Sequence, residues 1–146
     1  MTLKIPNDSY VSLEDADYYH ANRISFETWD ELDEQTKNRR LVSASDFLDH
    51  YYTFAGEKAD PLQSRSFPRK GQEEIPQAVK YAVCELALQE DLNQNQAQKM
   101  SGVKVGPISV SYNESTEQKA NRFEYVKSLL KGFLVESTGY VELLRG

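Results

Sequence analysis

Cysteine, tryptophan and histidine are scarce in this sequence. Cys84 is the one cysteine in 146 residues, so no internal disulfide can form and the small disulfide-stapled secreted class is excluded. Cys84 falls on an apolar face of a predicted helix and reads as a small buried hydrophobe. The two histidines, His20 and His50, fall on different predicted helices. Neither has a cysteine or carboxylate at a metal-site spacing, which argues against a zinc or iron site. No apolar run reaches the roughly 18–20 residues that a membrane-spanning helix needs, so no membrane partner is expected. No apolar stretch follows Lys4, so the first eight residues do not read as a signal peptide, and a cytoplasmic site of synthesis is expected.

The usual signatures of catalysis are also missing. There is no Gly-x-x-x-x-Gly-Lys, no Gly-x-Gly-x-x-Gly and no Gly-x-Ser-x-Gly elbow. The acids are numerous but cluster at helix starts and on polar faces, as in Asp15 and Asp17 or Glu31, Asp33 and Glu34. The expectation is a protein that is not an enzyme and has no cofactor. Cations are in deficit, with 17 Lys and Arg against 23 Asp and Glu, giving a net charge of −6 and a pI of about 5.0. Such a surface repels phosphate backbones at long range, so contact with DNA requires a local basic patch.

What is present is helical periodicity. Hydrophobic residues make up 39% of the chain, enough for one modest core in a single domain spanning 1–146. Ser12-Leu13-Glu14-Asp15 reads as a capped helix start, with Leu13, Ala16, Tyr19 and His20 on one face as far as about Arg23. Trp29 lies in a short helical turn over 26–32 and reads as a core anchor rather than a ligand platform. A second long helix is predicted from Asp33 to about Tyr52. Its main stripe is Leu41, Ala44, Leu48 and Tyr51, with Phe47 and Phe54 flanking and Gly56 as its stop. Glu34, Lys37, Arg39 and Arg40 read as a solvated charged face.

A central helix is predicted to start at Pro76 and run to Leu92. It carries two apolar stripes, Ala78, Val79, Ala82, Val83 and Leu86 on one side and Tyr81, Cys84, Leu88 and Leu92 on the other. Two stripes require neighbours on two sides. After an amide-rich tract at 93–98 the period becomes two. Val103–Val105 and Ile108–Tyr112 are predicted strands, interrupted by Gly106-Pro107. This arm either folds back on its own domain or pairs with a neighbouring chain. A last helix is predicted from Glu117 to Leu134, with Phe123, Val126, Leu129, Leu130, Phe133 and Leu134 on its stripe. The tail 135–146 is left open between docking on the domain and docking on a partner. The expected fold class is therefore mainly α: a small bundle of about four helices at 10–134 with a short β-hairpin or strand arm at 103–112.

One loop carries the ingredients of nucleic-acid binding. Arg65, Arg69 and Lys70 surround Phe67, which combines phosphate neutralisation with a stacking ring. Three cations make few phosphate contacts, and Glu73 and Glu74 follow at once. The competing reading, a loop whose Phe67 anchors on the core while its cations stay in water, is preferred because a lone aromatic in a loop tends to bury its apolar surface.

Several segments, taken in order, resemble a known family. They are the start Ser9-Tyr10-Val11-Ser12 followed by Asp15-Ala16-Asp17, the loop Phe67-Pro68-Arg69, the helix start Ile75-Pro76-Gln77-Ala78-Val79-Lys80, and Val105-Gly106-Pro107-Ile108. Together they are similar to the head–tail connector (adaptor) proteins of tailed phages and prophages, whose relatives are often labelled DnaT-like single-stranded-DNA-binding proteins. The resemblance spans roughly 10–134. It implies a structural ring component that joins the portal protein to the next tail-completion protein and extends the DNA channel. On that reading the partners are further copies of the chain, the portal and the tail protein, with passing contact with DNA. The location is the head–tail junction of the virion, after synthesis in the bacterial cytoplasm. Val103, Val105, Ile108, Val110 and Tyr112 are then the expected oligomer or partner interface. The alternative is a single-stranded-DNA-binding module that uses Arg65, Phe67, Arg69 and Lys70.

Overall fold

Two helix starts are set by side-chain caps. A helix leaves its first amides without intrahelical acceptors, and a short polar side chain at the N-cap can supply one. Ser12 Oγ accepts from the Asp15 amide at 3.1 Å and Asp33 Oδ1 from the Thr36 amide at 2.7 Å. In the computed structural model, which describes residues 2–93 and 116–135, these caps open α1 (Leu13–Ala21) and α3 (Glu34–Tyr51). Between them lies the short α2 (Phe26–Asp30). Then follow α4 (Gln77–Leu86) and α5 (Thr116–Leu130), the latter running into a 3-10 turn, Lys131–Phe133.

The chain is mainly helical, as its periodicity predicts, and α4 is the central helix. It packs against α1, α3 and α5. Val79, Ala82, Val83, Cys84 and Leu86 are all buried on it, the physical outcome of two apolar stripes. Opposite them lie Leu41, Ala44 and Leu48 of α3 and Val126 and Leu130 of α5. α4 is shorter than predicted. It ends at Leu86, and the chain continues in turns that still bury Leu92. Pro76 is its N-cap, with φ −60° and ψ 143°, rather than its first helical residue.

α1 and α2 close one end. Trp29 is 1% exposed, and its indole N–H donates to Asp17 Oδ1 at 2.8 Å, which also holds Lys37 Nζ at 3.1 Å. His20 is fully buried beside it, ring centroids 4.7 Å apart. His20 Nε2 lies 3.1 Å from the Cys84 carbonyl, which can only accept, so Nε2 carries the proton. Nδ1 then accepts from the Ser25 hydroxyl at 2.6 Å. Burial, the main cause, holds the His20 pKa down at about 4.

Three expectations require correction. Tyr51 is exposed and lies tilted against Phe47, because the buried stripe of α3 continues through Ser45 and Leu48 instead. α3 stops at Tyr51, and Gly56, with φ +84°, turns the chain only five residues later. The core begins before the bundle expected at 10–134: in the lead-in, residues 2–12, Leu3 is buried along with Tyr10 and Val11. The predicted strands at 103–105 and 108–112, most of the amide-rich tract and the tail beyond 135 lie outside the described residues. Among the described residues there is no sheet. Isolated bridges pair Phe54 with Leu134 and Lys58 with Arg69. No helix of the described residues is long and apolar enough to cross a membrane.

Candidate nucleic-acid interface

The loop between α3 and α4 holds the four residues singled out from sequence. Its two sides are pinned across the Lys58–Arg69 bridge: the Ala59 amide donates to the Pro68 carbonyl at 2.9 Å and the Lys70 amide to that of Glu57 at 2.8 Å. Gln63 ties the tip by donating to the carbonyls of Arg65 and Pro68 at 2.8 and 2.9 Å.

Arg65 points inward. Its Nε donates to the carbonyls of Pro6 and Asn7 at 3.0 and 3.1 Å, and Nη2 to that of Asp8 at 2.6 Å. Nη1 meets Asp49 Oδ2 at 2.9 Å and Asp46 Oδ1 at 3.0 Å. Burial alone would lower the Arg65 pKa, but hydrogen bonds to Asp49 and Asp46 outweigh it and hold the guanidinium above its usual value. This arginine clamps the lead-in to the C-terminal half of α3.

Phe67 is fully buried and meets Tyr10, Phe54 and Phe133 in edge-on ring contacts. A ring so enclosed offers no face to a base. Its amide donates to the Tyr10 hydroxyl at 3.1 Å, and that hydroxyl donates to Asp49 Oδ1 at 2.5 Å. Burial, with Asp49 adding to it, keeps the Tyr10 phenol protonated well above its ordinary range.

Arg69 is half-buried. It donates to the carbonyls of Phe54, Ala55, Gly56 and Ser66 at 2.8–3.1 Å, closing the chain that leaves α3. Lys70 alone of the four is exposed, in a surface ion pair with Glu57 at 2.9 Å. The structure therefore brings the four together, but as a structural clasp in which Arg65 and Phe67 face inward. The preferred reading from sequence had Phe67 anchored and the cations in water. The ring is anchored, and Arg65 goes in with it.

Sequence reasoning passed over other cations. Arg23 lies over the Tyr19 ring at 3.7 Å and within 5.0 Å of Tyr81. Arg39 and Arg40, assigned to a solvated face, form no ion pair with any described residue. Their signal was spacing: Thr36, Arg39, Arg40 and Ser43 follow at i, i+3, i+4 and i+7. The interface residues Val103, Val105, Ile108, Val110 and Tyr112 lie outside the described residues.

No curated protein and no solved structure compared with the chain gives a match. A family profile matches residues 2–146, nearly the whole sequence. The chain belongs to the family described as "Putative DnaT-like ssDNA binding protein".

Proposed function

We propose that this protein binds single-stranded DNA. The observation that carries the reading is the family match over residues 2–146, whose description names that activity for the family. The loop of Arg65 and Phe67 is set aside as the contact, because both side chains are taken up inside the fold. With a net charge of −6, binding depends on a local group of cations and weakens steeply with salt. An electrophoretic mobility assay at low ionic strength tests it. A retarded single-stranded oligonucleotide that unlabelled duplex of the same length displaces poorly supports the reading. An unshifted oligonucleotide, where electrostatic attraction is strongest, overturns it.

A second reading is the non-enzymatic head–tail connector, an oligomeric ring at the virion's head–tail junction with portal and tail-completion proteins as neighbours. It is favoured by exposed apolar side chains on α1, α2 and the turn between them. Tyr18 is 74% exposed and Ile24 fully so, with Phe26 beside them in sequence. Grouped exposed apolar residues suit a protein contact better than a nucleic-acid one. On this reading Val103, Val105, Ile108, Val110 and Tyr112 join neighbouring copies. Deleting 102–113 should abolish rings seen by electron microscopy with portal present, while far-UV circular dichroism stays helical. Normal rings from the shortened chain would remove that role for the arm.

A further inference from the structure

Arg39 and Arg40 differ from the two arginines of the clasp. Arg65 and Arg69 are saturated by carboxylates and carbonyls. Among the described residues, Arg39 hydrogen-bonds the Gln35 side-chain oxygen and Arg40 the Leu88 carbonyl, each at 3.3 Å, and the Asp33 carboxylate lies near enough to Arg39 to interact through charge. A guanidinium carries five N–H donors, so most of theirs remain open to a ligand.

Both arginines line one groove of about 160 Å³. Its floor is the face of α3 made by Thr36, Arg39, Arg40 and Ser43. Its far wall is the turn after α4, with Gln89, Glu90 and Leu92. That wall is held in place. Gln89 Nε2 donates to Asp91 Oδ1 at 2.7 Å, and Gln89 Oε1 accepts from Arg122 of α5. Asn93 Nδ2 donates to the Ser43 carbonyl at 2.8 Å, tying the wall back to α3.

Adjacent guanidiniums flanked by hydroxyl-bearing residues form a donor set suited to phosphate oxygens. A space of about 160 Å³ is large enough to admit a phosphodiester link. Glu90 is exposed on the wall and opposes an anion there. We propose that this groove binds the phosphodiester backbone of single-stranded DNA, with Arg39 and Arg40 donating to phosphate oxygens. The inference rests on the single-strand reading above and adds the place of contact.

The test is a fluorescence-anisotropy titration of labelled oligothymidine against three full-length proteins: native, Arg39→Ala/Arg40→Ala, and Lys4→Ala/Lys131→Ala, whose lysines are exposed and lie outside every candidate contact. The last removes the same two charges elsewhere. The groove variant should bind at least about tenfold more weakly, and the slope of log K against log salt should shrink by about 1.4, at ~0.7 per phosphate on a single strand. The control should stay within about threefold of native, because screening limits distant exposed charges. Circular dichroism checks folding of each. Glu90→Gln, a mild surface change, should tighten binding by about threefold by removing a like charge from the ligand. If native protein binds and the groove variant weakens no more than the control, the groove is overturned while the single-strand reading stands. Should the groove variant not fold, unchanged affinity in Glu90→Gln overturns it equally. If native protein does not bind, the single-strand reading fails and the groove with it.

Discussion

Asp49 joins Arg65 and Tyr10. One carboxylate oxygen lies 2.9 Å from Arg65 Nη1, and the other accepts the Tyr10 hydroxyl at 2.5 Å. The lead-in, α3 and the α3–α4 loop are thus held through one side chain. Asp49 is 17% exposed and Arg65 9% exposed at the side chain, so the pair is largely out of water.

Arg65→Ala should destabilise the fold by about 3–5 kcal/mol, the scale for removing one partner of a buried pair. It strands the Asp49 charge and three carbonyls of the lead-in. Arg65→Lys should recover little, since an ammonium cannot reproduce the fork. Urea unfolding followed by tryptophan fluorescence measures both. A loss under about 1 kcal/mol for Arg65→Ala, the range of a surface ion pair, would contradict the clasp.

Phe67 and Lys70, three residues apart, should behave oppositely. Phe67→Ala should cost about 3–5 kcal/mol, as for other core aromatics cut to alanine. Lys70→Ala should change stability by no more than about 0.5 kcal/mol, because its partner Glu57 is as exposed as it is. Thermal melts of the two variants side by side check this. Equal midpoints would show that Phe67 is not in the core.

Stability should fall on mild acidification through His20. Its folded pKa is lowered from 6.5 to about 4. Between those values the unfolded chain binds a proton that the folded chain refuses, so stability is lost as pH drops through that window. At 1.36 kcal/mol per pKa unit, the loss between pH 7 and pH 5 is about 2 kcal/mol. His20→Gln should show a smaller pH 7 to pH 5 difference in urea midpoint, whatever its stability at neutral pH. An unchanged difference would rule out His20 as its source.

The helices were legible because their signals are local. Ser12 and Asp33 are caps, and the buried residues of α4 fall at helical spacing within its ten residues. Trp29 was legible as an anchor because large aromatic side chains dominate a core and this is the chain's one tryptophan. The clasp was not legible. Arg65 and Asp49 are 16 residues apart, and Arg65 and the Asp8 carbonyl 57 apart. Nothing in the neighbourhood of Arg65 shows that acceptors will converge on it, so a structural arginine and a DNA-binding one look alike in sequence. The reverse holds for Arg39 and Arg40. Amid acids they read as an ordinary charged face, and only the fold of 87–93 against α3 makes a groove there.

The most direct measurement is the affinity of the native full-length chain for a single-stranded oligonucleotide as salt is raised from low to physiological concentration. Single-strand binding predicts a Kd in the micromolar range or tighter at low salt, with log K falling linearly against log salt. No detectable binding at the lowest salt, with the protein shown folded, would contradict it.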